Sequence, residues 1–180
     1  MFVQTQKTPN PNSLKFLPGK KVSMSGPYEI TKKEDSNNKL VRNILSINGV
    51  TRIFLAEDYL SINKDEKTEW NDLKHIIISF INDHYSKGNE IIIDSNKTSV
   101  SEIELSEIEK KITNIIETKI RPAVAKDGGD IKFKSFKDGV VTVELKGSCS
   151  GCPSSIMTLK QGVQNLLCHY IPEVKSVEAR

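Results

Sequence analysis

Apolar and polar positions in the first part of the chain predict strands around two turns. Short apolar runs at residues 2–3 and 14–17 flank the segment TPNPNS, whose prolines and asparagines favour a turn. The segment TRIFLAEDYLSINK has two β-rich runs on either side of Glu57 and Asp58, which is typical of a hairpin. We therefore expect two strands joined by a loop, and a second strand pair further along.

Two other segments have apolar residues at the spacing of a helix. The first covers residues 40–47 and ends at Asn48-Gly49, and the second runs from Trp70 to Tyr85 and ends at Lys87-Gly88. Each spacing places the apolar side chains on one face of a helix. The first ninety residues thus combine strands with two amphipathic helices.

The second half of the chain repeats this mixture in a different order. Apolar residues over 108–120 predict a helix, and Pro122 is expected to kink or restart it. The glycines of KDGGD, at residues 126–130, predict a stop and a turn. Two strands follow at residues 131–136 and 139–145, joined as a hairpin.

After that hairpin come two cysteines and a third helix. Cys149 and Cys152 occupy a loop of small residues, and Pro153 is suited to the first position of a helix. The predicted buried stripe of this helix is Ile156, Leu159, Val163, Leu166, Leu167 and Tyr170. A last strand follows in PEVKSVEA, so the order is helix, strand, strand, CxxC loop, helix, strand.

Between the two halves, periodicity is lost and serine, asparagine and glutamate become frequent. The sequence therefore predicts two small α+β domains, residues 1–88 and 105–180, joined by a linker at 89–104. One apolar run, Ile91, Ile92 and Ile93, does not fit a polar linker and is expected to pack back on the first domain.

Composition and charge exclude several classes of protein. The 26 basic and 23 acidic residues are interspersed, so there is no footprint of nucleic-acid binding. The sequence shows neither a signal peptide nor a membrane span, and we expect no membrane partner. Three cysteines are too few for a disulfide framework, which favours a reducing, cytosol-like compartment.

The chemistry of the chain is concentrated in the segment KGSCSGCPSS. Glycines and serines around Cys149 and Cys152 let the backbone fold around a ligand, and the helix after Pro153 directs its positive end towards the loop. We expect that end to stabilise thiolates, which are the form that binds metal. The alternatives are an inert turn and a dithiol redox pair. The redox pair usually lies in a βαβ unit, whereas a hairpin precedes the motif here.

The number of available ligands limits the kinds of metal site that one chain can form. A zinc ribbon needs a second cysteine pair, and His75, His84 and His169 do not stand at ligand spacing. In a continuous helix Cys168 would lie about 24 Å along the axis from Cys152, at 1.5 Å per residue. One chain thus offers two thiolates where an iron–sulfur cluster or zinc usually needs four, which favours a symmetric dimer with the metal on its axis.

Five segments give the sequence a family resemblance. IRPAVAKDGGDI, LKGSCSGCPSSIMTLKQGV and HYIPEVKSV resemble the C-terminal domain of NifU-type iron–sulfur scaffold and carrier proteins. FVQTQKTPNPNSLKFLPG and INGVTRIFLAEDYLSINK resemble the N-terminal domain of the Nfu branch of that family. Together these matches cover nearly the whole chain.

The resemblance implies a function as well as a fold. It implies that Cys149 and Cys152 bind a [4Fe–4S] cluster shared between the subunits of a homodimer. The cluster would come from an upstream scaffold and pass to apo-proteins, so we expect a carrier and not an enzyme. A dithiol oxidoreductase and a zinc-bridged structural dimer remain the alternatives. We expect a bacterial cytoplasmic protein, or else a processed protein of the mitochondrial matrix.

Overall fold

A computed structural model describes residues 3–24, 26–89, 105–150 and 153–179. The chain divides into two compact units, Met1–Lys97 and Thr98–Arg180, each with its own buried core. Both units combine helices with a sheet, which confirms the α+β class. Residues 90–104 hold most of the predicted linker, including Ile91–Ile93, and lie outside the described residues. The predicted boundaries at residues 88 and 105 therefore stay predictions.

The N-terminal unit is built on a five-stranded antiparallel sheet in the order β1-β2-β5-β4-β3. The strands are β1 Gln4–Lys7, β2 Ser13–Leu17, β3 Tyr28–Ile30, β4 Val50–Leu55 and β5 Leu60–Lys64. Both predicted strand pairs are confirmed. Strand β3 was not predicted, because three residues with only Ile30 buried are too short to show alternation.

Two helices contribute buried side chains to the core of this unit, beside those of the strands. Helix α1, Lys39–Leu45, is capped by Asn38, whose Oδ1 accepts hydrogen bonds from the backbone of Leu40 and Val41 at 2.8 and 3.3 Å. Helix α2, Trp70–Ser86, buries one stripe of side chains four residues apart: Leu73, Ile77, Ile81 and Tyr85. Both predicted helices are confirmed.

The C-terminal unit has the predicted order of elements. Its helices are α3 Glu107–Ile115, α4 Arg121–Lys126 and α5 Pro153–Tyr170, and its strands are β6 Gly129–Lys137, β7 Val140–Gly147 and β8 Ser176–Ala179. Strands β6 and β7 form an antiparallel hairpin, turned by Asp138 and Gly139 at φ 53° and 85°. Strand β8 pairs parallel to β7, because α5 carries the chain back across the sheet.

Pro122 has the predicted effect on the first helix of this unit. A π-helical turn, Ile116–Ile120, lies between α3 and α4, and Pro122 stands in the first turn of α4. A proline cannot donate to the carbonyl four residues earlier and its ring collides with that group, so the backbone widens there. Ile112, Ile116, Ile120 and Val124 nevertheless all stay buried, so the wider turn preserves the core face.

Helix α5 packs its apolar stripe on the sheet with one exception to the prediction. Val163 and Leu167 are buried, while Ile156, Leu159 and Leu166 are partly buried against the same core. Tyr170 was predicted to be buried but is 49% exposed, and Ile171 fills that place instead. No helix in the described part of the chain is long and apolar enough to cross a membrane.

Candidate functional site

Cys149 lies at the junction between strand β7 and helix α5. It follows the last residue of β7, Gly147, by two positions and precedes the start of α5 at Pro153 by four. Its side chain packs into the core of the C-terminal unit and is only 8% exposed. Cys152 lies outside the described residues, so the predicted pairing of the two sulfurs as a ligand set stays a prediction.

A turn at the start of the neighbouring strand, β6, lies against Cys149. This glycine turn, residues 127–129, connects α4 to β6. Ser148 hydrogen-bonds to it twice: its Oγ donates to the carbonyl of Asp127, and its N–H donates to the carbonyl of Gly128 at 3.2 Å. Ser150 closes the loop on the other side, since its N–H and Oγ both donate to the carbonyl of Gly147. The backbone around Cys149 is therefore held in place from both directions.

Gly129 lies so close to the thiol that it leaves no room for a side chain of its own. A Cβ atom on Gly129 would lie 2.5 Å from the Sγ of Cys149 and 2.8 Å from the carbonyl oxygen of Lys146. Only glycine leaves room for such an approach. The sequence predicted KDGGD as a turn but missed this second role. The two consecutive glycines were a signal of this role. The turn requires a positive φ only at Gly128, where φ is 81°, so Gly129 must be a glycine for a different reason.

An ion-pair cluster fixes the residue after Gly129. Arg121 donates from Nε and an Nη to both carboxylate oxygens of Asp130, at 2.7 and 3.2 Å, and its other Nη lies 2.6 Å from Glu117. The Asp130 side chain is only 4% exposed. A bidentate pair of this kind fixes both partners in orientation. Arg121 thus ties helix α4 to the start of β6, next to the glycine that touches Cys149.

Burial governs the ionisation of Cys149. Desolvation raises the pKa of its thiol to about 11, and the negative charges of Asp127 and Asp130 act in the same direction. The hydrogen bond with Ser148 lowers the pKa but does not offset burial. The expectation that the start of α5 holds a thiolate here is therefore wrong for Cys149. A protonated thiol is a poor nucleophile at neutral pH, whereas a bound metal cation drives the proton off.

The strands on either side of the loop bear on the choice between a metal site and a dithiol redox pair. A hairpin does precede the cysteines, as predicted, but β7, α5 and β8 form a βαβ unit with parallel strands. Strand topology therefore does not separate a metal site from a dithiol redox site.

The other candidate ligands are spread over the two units. His75 and His84 lie on α2 in the N-terminal unit, and His169 is exposed near the end of α5. Burial lowers the pKa of His84. Cys168 is half-buried on α5, which runs unbroken from Pro153 to Tyr170. Within the described ranges, no three His, Cys, Asp or Glu side chains come close enough together to hold a metal ion.

Comparison with known proteins identifies both halves of the chain. The family model described as "NifU-like domain" matches residues 112–178, which include the CxxC loop. The family model described as "Scaffold protein Nfu/NifU N terminal" matches residues 3–88. The chain is also similar to a NifU-like protein from Saccharomyces cerevisiae solved by NMR, at 31% identity and a TM-score of 0.48, over 53% of this chain and 87% of that one.

Curated relatives match both domains at once. NifU-like protein 4, mitochondrial, from Arabidopsis thaliana is 41% identical, and the human NFU1 iron-sulfur cluster scaffold homolog, mitochondrial, is 42% identical. Each alignment covers 99% of this chain, which spans 65% and 71% of the lengths of these two relatives. Both names place the relatives in mitochondria. The expectation of a bacterial cytoplasmic protein is therefore wrong, and the mitochondrial alternative is favoured.

The two family models occur in the order that the sequence resemblance implied. The relatives that match nearly all of this chain are named as a NifU-like protein and an NFU1 homolog, in agreement with the two family models. The chain therefore belongs to the Nfu branch of the NifU-like protein family.

Proposed function

We propose that this protein is an iron–sulfur cluster scaffold and carrier and not an enzyme. In this proposal the cargo is a [4Fe–4S] cluster, held by Cys149 and Cys152 of two subunits. The observation that carries the proposal is the position of Cys149 in a NifU-like domain, at a closely held β–α junction, with only one CxxC pair per chain. The name of the human relative, an iron-sulfur cluster scaffold homolog, supports it.

A cluster shared between subunits would be released by exchange of ligands. A cysteine thiolate of the recipient apo-protein displaces Cys149 or Cys152 from the cluster, and the remaining thiolates follow in turn. An upstream scaffold supplies the cluster by the same exchange in reverse. We infer a mitochondrial location, because the relatives that match over nearly all of this chain are mitochondrial proteins.

The surface beside the site suits contact with a second subunit. Met157 lies one turn inside α5 from the cysteine loop and is 72% exposed. An apolar side chain so open to water gains free energy when a partner covers it. A homodimer that meets at the cysteine loops would bury Met157 of both chains and complete the four thiolates.

Anaerobic reconstitution with ferrous iron and sulfide tests the proposal. We expect a coloured protein whose iron and sulfide contents are equal, with no zinc, and which passes its cluster to an apo-protein of the [4Fe–4S] class. Cys149→Ser and Cys152→Ser should each lose the chromophore, whereas Cys168→Ser serves as the matched control and should keep it. A colourless protein with a reactive disulfide would favour the dithiol oxidoreductase, and a zinc content of one per dimer would favour the structural zinc site.

A further inference from the structure

A groove of about 640 Å³ lies in the N-terminal unit, away from the cysteine loop. We call it the β1–α2 groove. Its walls are strand β1, through Thr5 and Lys7, the loop of the TPNPNS segment, and the first turns of α2, through Trp70, Asn71 and Lys74. Cluster binding makes no use of any of these residues.

The loop wall of the groove is fixed by its own hydrogen bonds. Thr8 Oγ1 donates to the carbonyl of Asn10, and Asn10 Oδ1 accepts from the backbone N–H of Asn12, both at 2.9 Å. Trp70 Nε1 donates to the carbonyl of Pro11, also at 2.9 Å, which joins the loop to α2. The shape of the groove is therefore preset, which lowers the entropic cost of binding a ligand there.

The charge of the groove is positive. Lys7 and Lys74 line it, and no acidic residue does so among those that the structure describes. Lys64 Nζ lies 5.9 Å from the centroid of the Trp70 ring. Neither Lys7 nor Lys74 has a carboxylate partner among the described residues. At about 100° per residue, Asp72 stands about 200° round the helix from Lys74, on the opposite side. A carboxylate ligand would therefore meet two free ammonium groups.

Strand β1 contributes a second means of binding. It is an edge strand, and in the described part of the chain no strand pairs with its outer side. Thr5 and Lys7, two residues apart, line the groove from the same face of β1. A strand added to this edge would direct every second side chain into the groove. Carboxylates at those positions would lie opposite Lys7.

We propose that the β1–α2 groove docks an extended acidic segment of a partner protein, which pairs with the edge of β1 and places carboxylates beside Lys7 and Lys74. Backbone hydrogen bonds to β1 provide the register, and the two lysines select for acidic side chains at alternate positions. This interaction is separate from cluster binding and does not depend on Cys149 or Cys152.

Trp70 makes the proposal directly testable, because it is the only tryptophan in the chain. We would titrate the full-length protein, without cluster, with a blocked peptide of alternating valine and glutamate and follow tryptophan fluorescence. We expect a saturable change that weakens as salt is added. The Lys7→Glu/Lys74→Glu variant should bind at least about fivefold more weakly, since two attractive pairs become repulsive. Lys32→Glu/Lys87→Glu changes the net charge equally at exposed residues that do not line the groove and should bind like wild type.

Four outcomes would overturn the proposal. The first is equal binding of the corresponding valine–lysine peptide, and the second is unchanged binding by Lys7→Glu/Lys74→Glu. The third is unchanged binding by both of two peptides N-methylated at alternate residues, because one of the two sets must face β1 in an added strand. Equally tight binding of free glutamate would also contradict an extended segment and would indicate a small-anion site.

Discussion

At the scale of single residues, the site depends on the close approach of Gly129 to Cys149, which leaves no room for a side chain at residue 129. The glycine lies in the register of the β6–β7 hairpin, opposite Gly147, so its backbone cannot withdraw without breaking the ladder. Ser148, the residue before Cys149, is hydrogen-bonded to the same turn through its Oγ and its N–H. The position of the Cys149 sulfur is therefore set by a backbone contact, which a side chain at residue 129 would disturb.

Substitution of Gly129 by alanine tests this contact. The new Cβ would collide with Cys149 Sγ, so we expect a loss of about 1–3 kcal/mol in the free energy of unfolding and a lower cluster content. Denaturant unfolding followed by circular dichroism and iron content after reconstitution measure both effects. Gly162→Ala is the matched control, since open space surrounds its added Cβ and alanine favours a helix. Equal behaviour of the two variants would contradict the steric role of Gly129.

The pKa of Cys149 predicts how the thiol reacts in the cluster-free protein. In a Cys152→Ser/Cys168→Ser background, we expect iodoacetamide to alkylate Cys149 at pH 8 about a hundredfold more slowly than it alkylates a free cysteine. The reason is that a pKa of about 11, against the usual 9.0, leaves far less thiolate. The stability that this thiol contributes is present below pH 9 and is lost as pH rises towards about 11, because the unfolded thiol ionises first. A rate equal to that of free cysteine would contradict the burial of the sulfur.

At the scale of elements, the ion-pair cluster of Arg121 connects the helical layer to the cysteine site. The π-helical turn before Pro122 ends at Ile120, so Arg121 begins α4 directly beside the start of β6. Its guanidinium holds Asp130, the residue after Gly129, with two hydrogen bonds. The glycine turn is therefore held at both ends, by Ser148 and by Arg121.

Asp130→Asn should loosen the glycine turn. The substitution removes the buried carboxylate partner of Arg121, and we expect a loss of about 1–3 kcal/mol in the free energy of unfolding. We also expect faster alkylation of Cys149 in the same single-cysteine background. The control is Glu117→Gln, because Glu117 is 44% exposed and an exposed pair contributes at most about 1 kcal/mol. An unchanged alkylation rate in Asp130→Asn would show that the ion pair does not position the turn.

The elements also show which features a linear pattern can predict. The stripe of Leu73, Ile77, Ile81 and Tyr85 repeats over more than three turns, so the apolar period alone was enough to locate α2. Strand β3 escaped prediction because a strand of three residues has no measurable period. Tyr170 has the right spacing for the stripe of α5, but the helix ends there and the buried position passes to Ile171.

At the scale of the whole molecule, the sequence proposes Cys149 and Cys152 as a ligand pair, which stays a prediction, but it does not predict the environment of Cys149. The spacing of Cys149 and Cys152 and the helix at Pro153 are local features of the sequence. The burial of Cys149 depends on the glycine turn, which is about twenty residues earlier in the chain and is brought near by pairing of β6 with β7. The β1–α2 groove likewise joins residues 5–14 to residues 70–74, which meet only in the folded unit.

The central claim is that two chains share one cluster. Native mass spectrometry of the anaerobically reconstituted full-length protein tests it most directly, because it weighs the chains and the cargo together. The account predicts a dimer that carries one [4Fe–4S] cluster and returns to cluster-free protein when a chelator removes the iron. A cluster on a monomer, or a dimer that holds zinc in place of iron and sulfide, would contradict it.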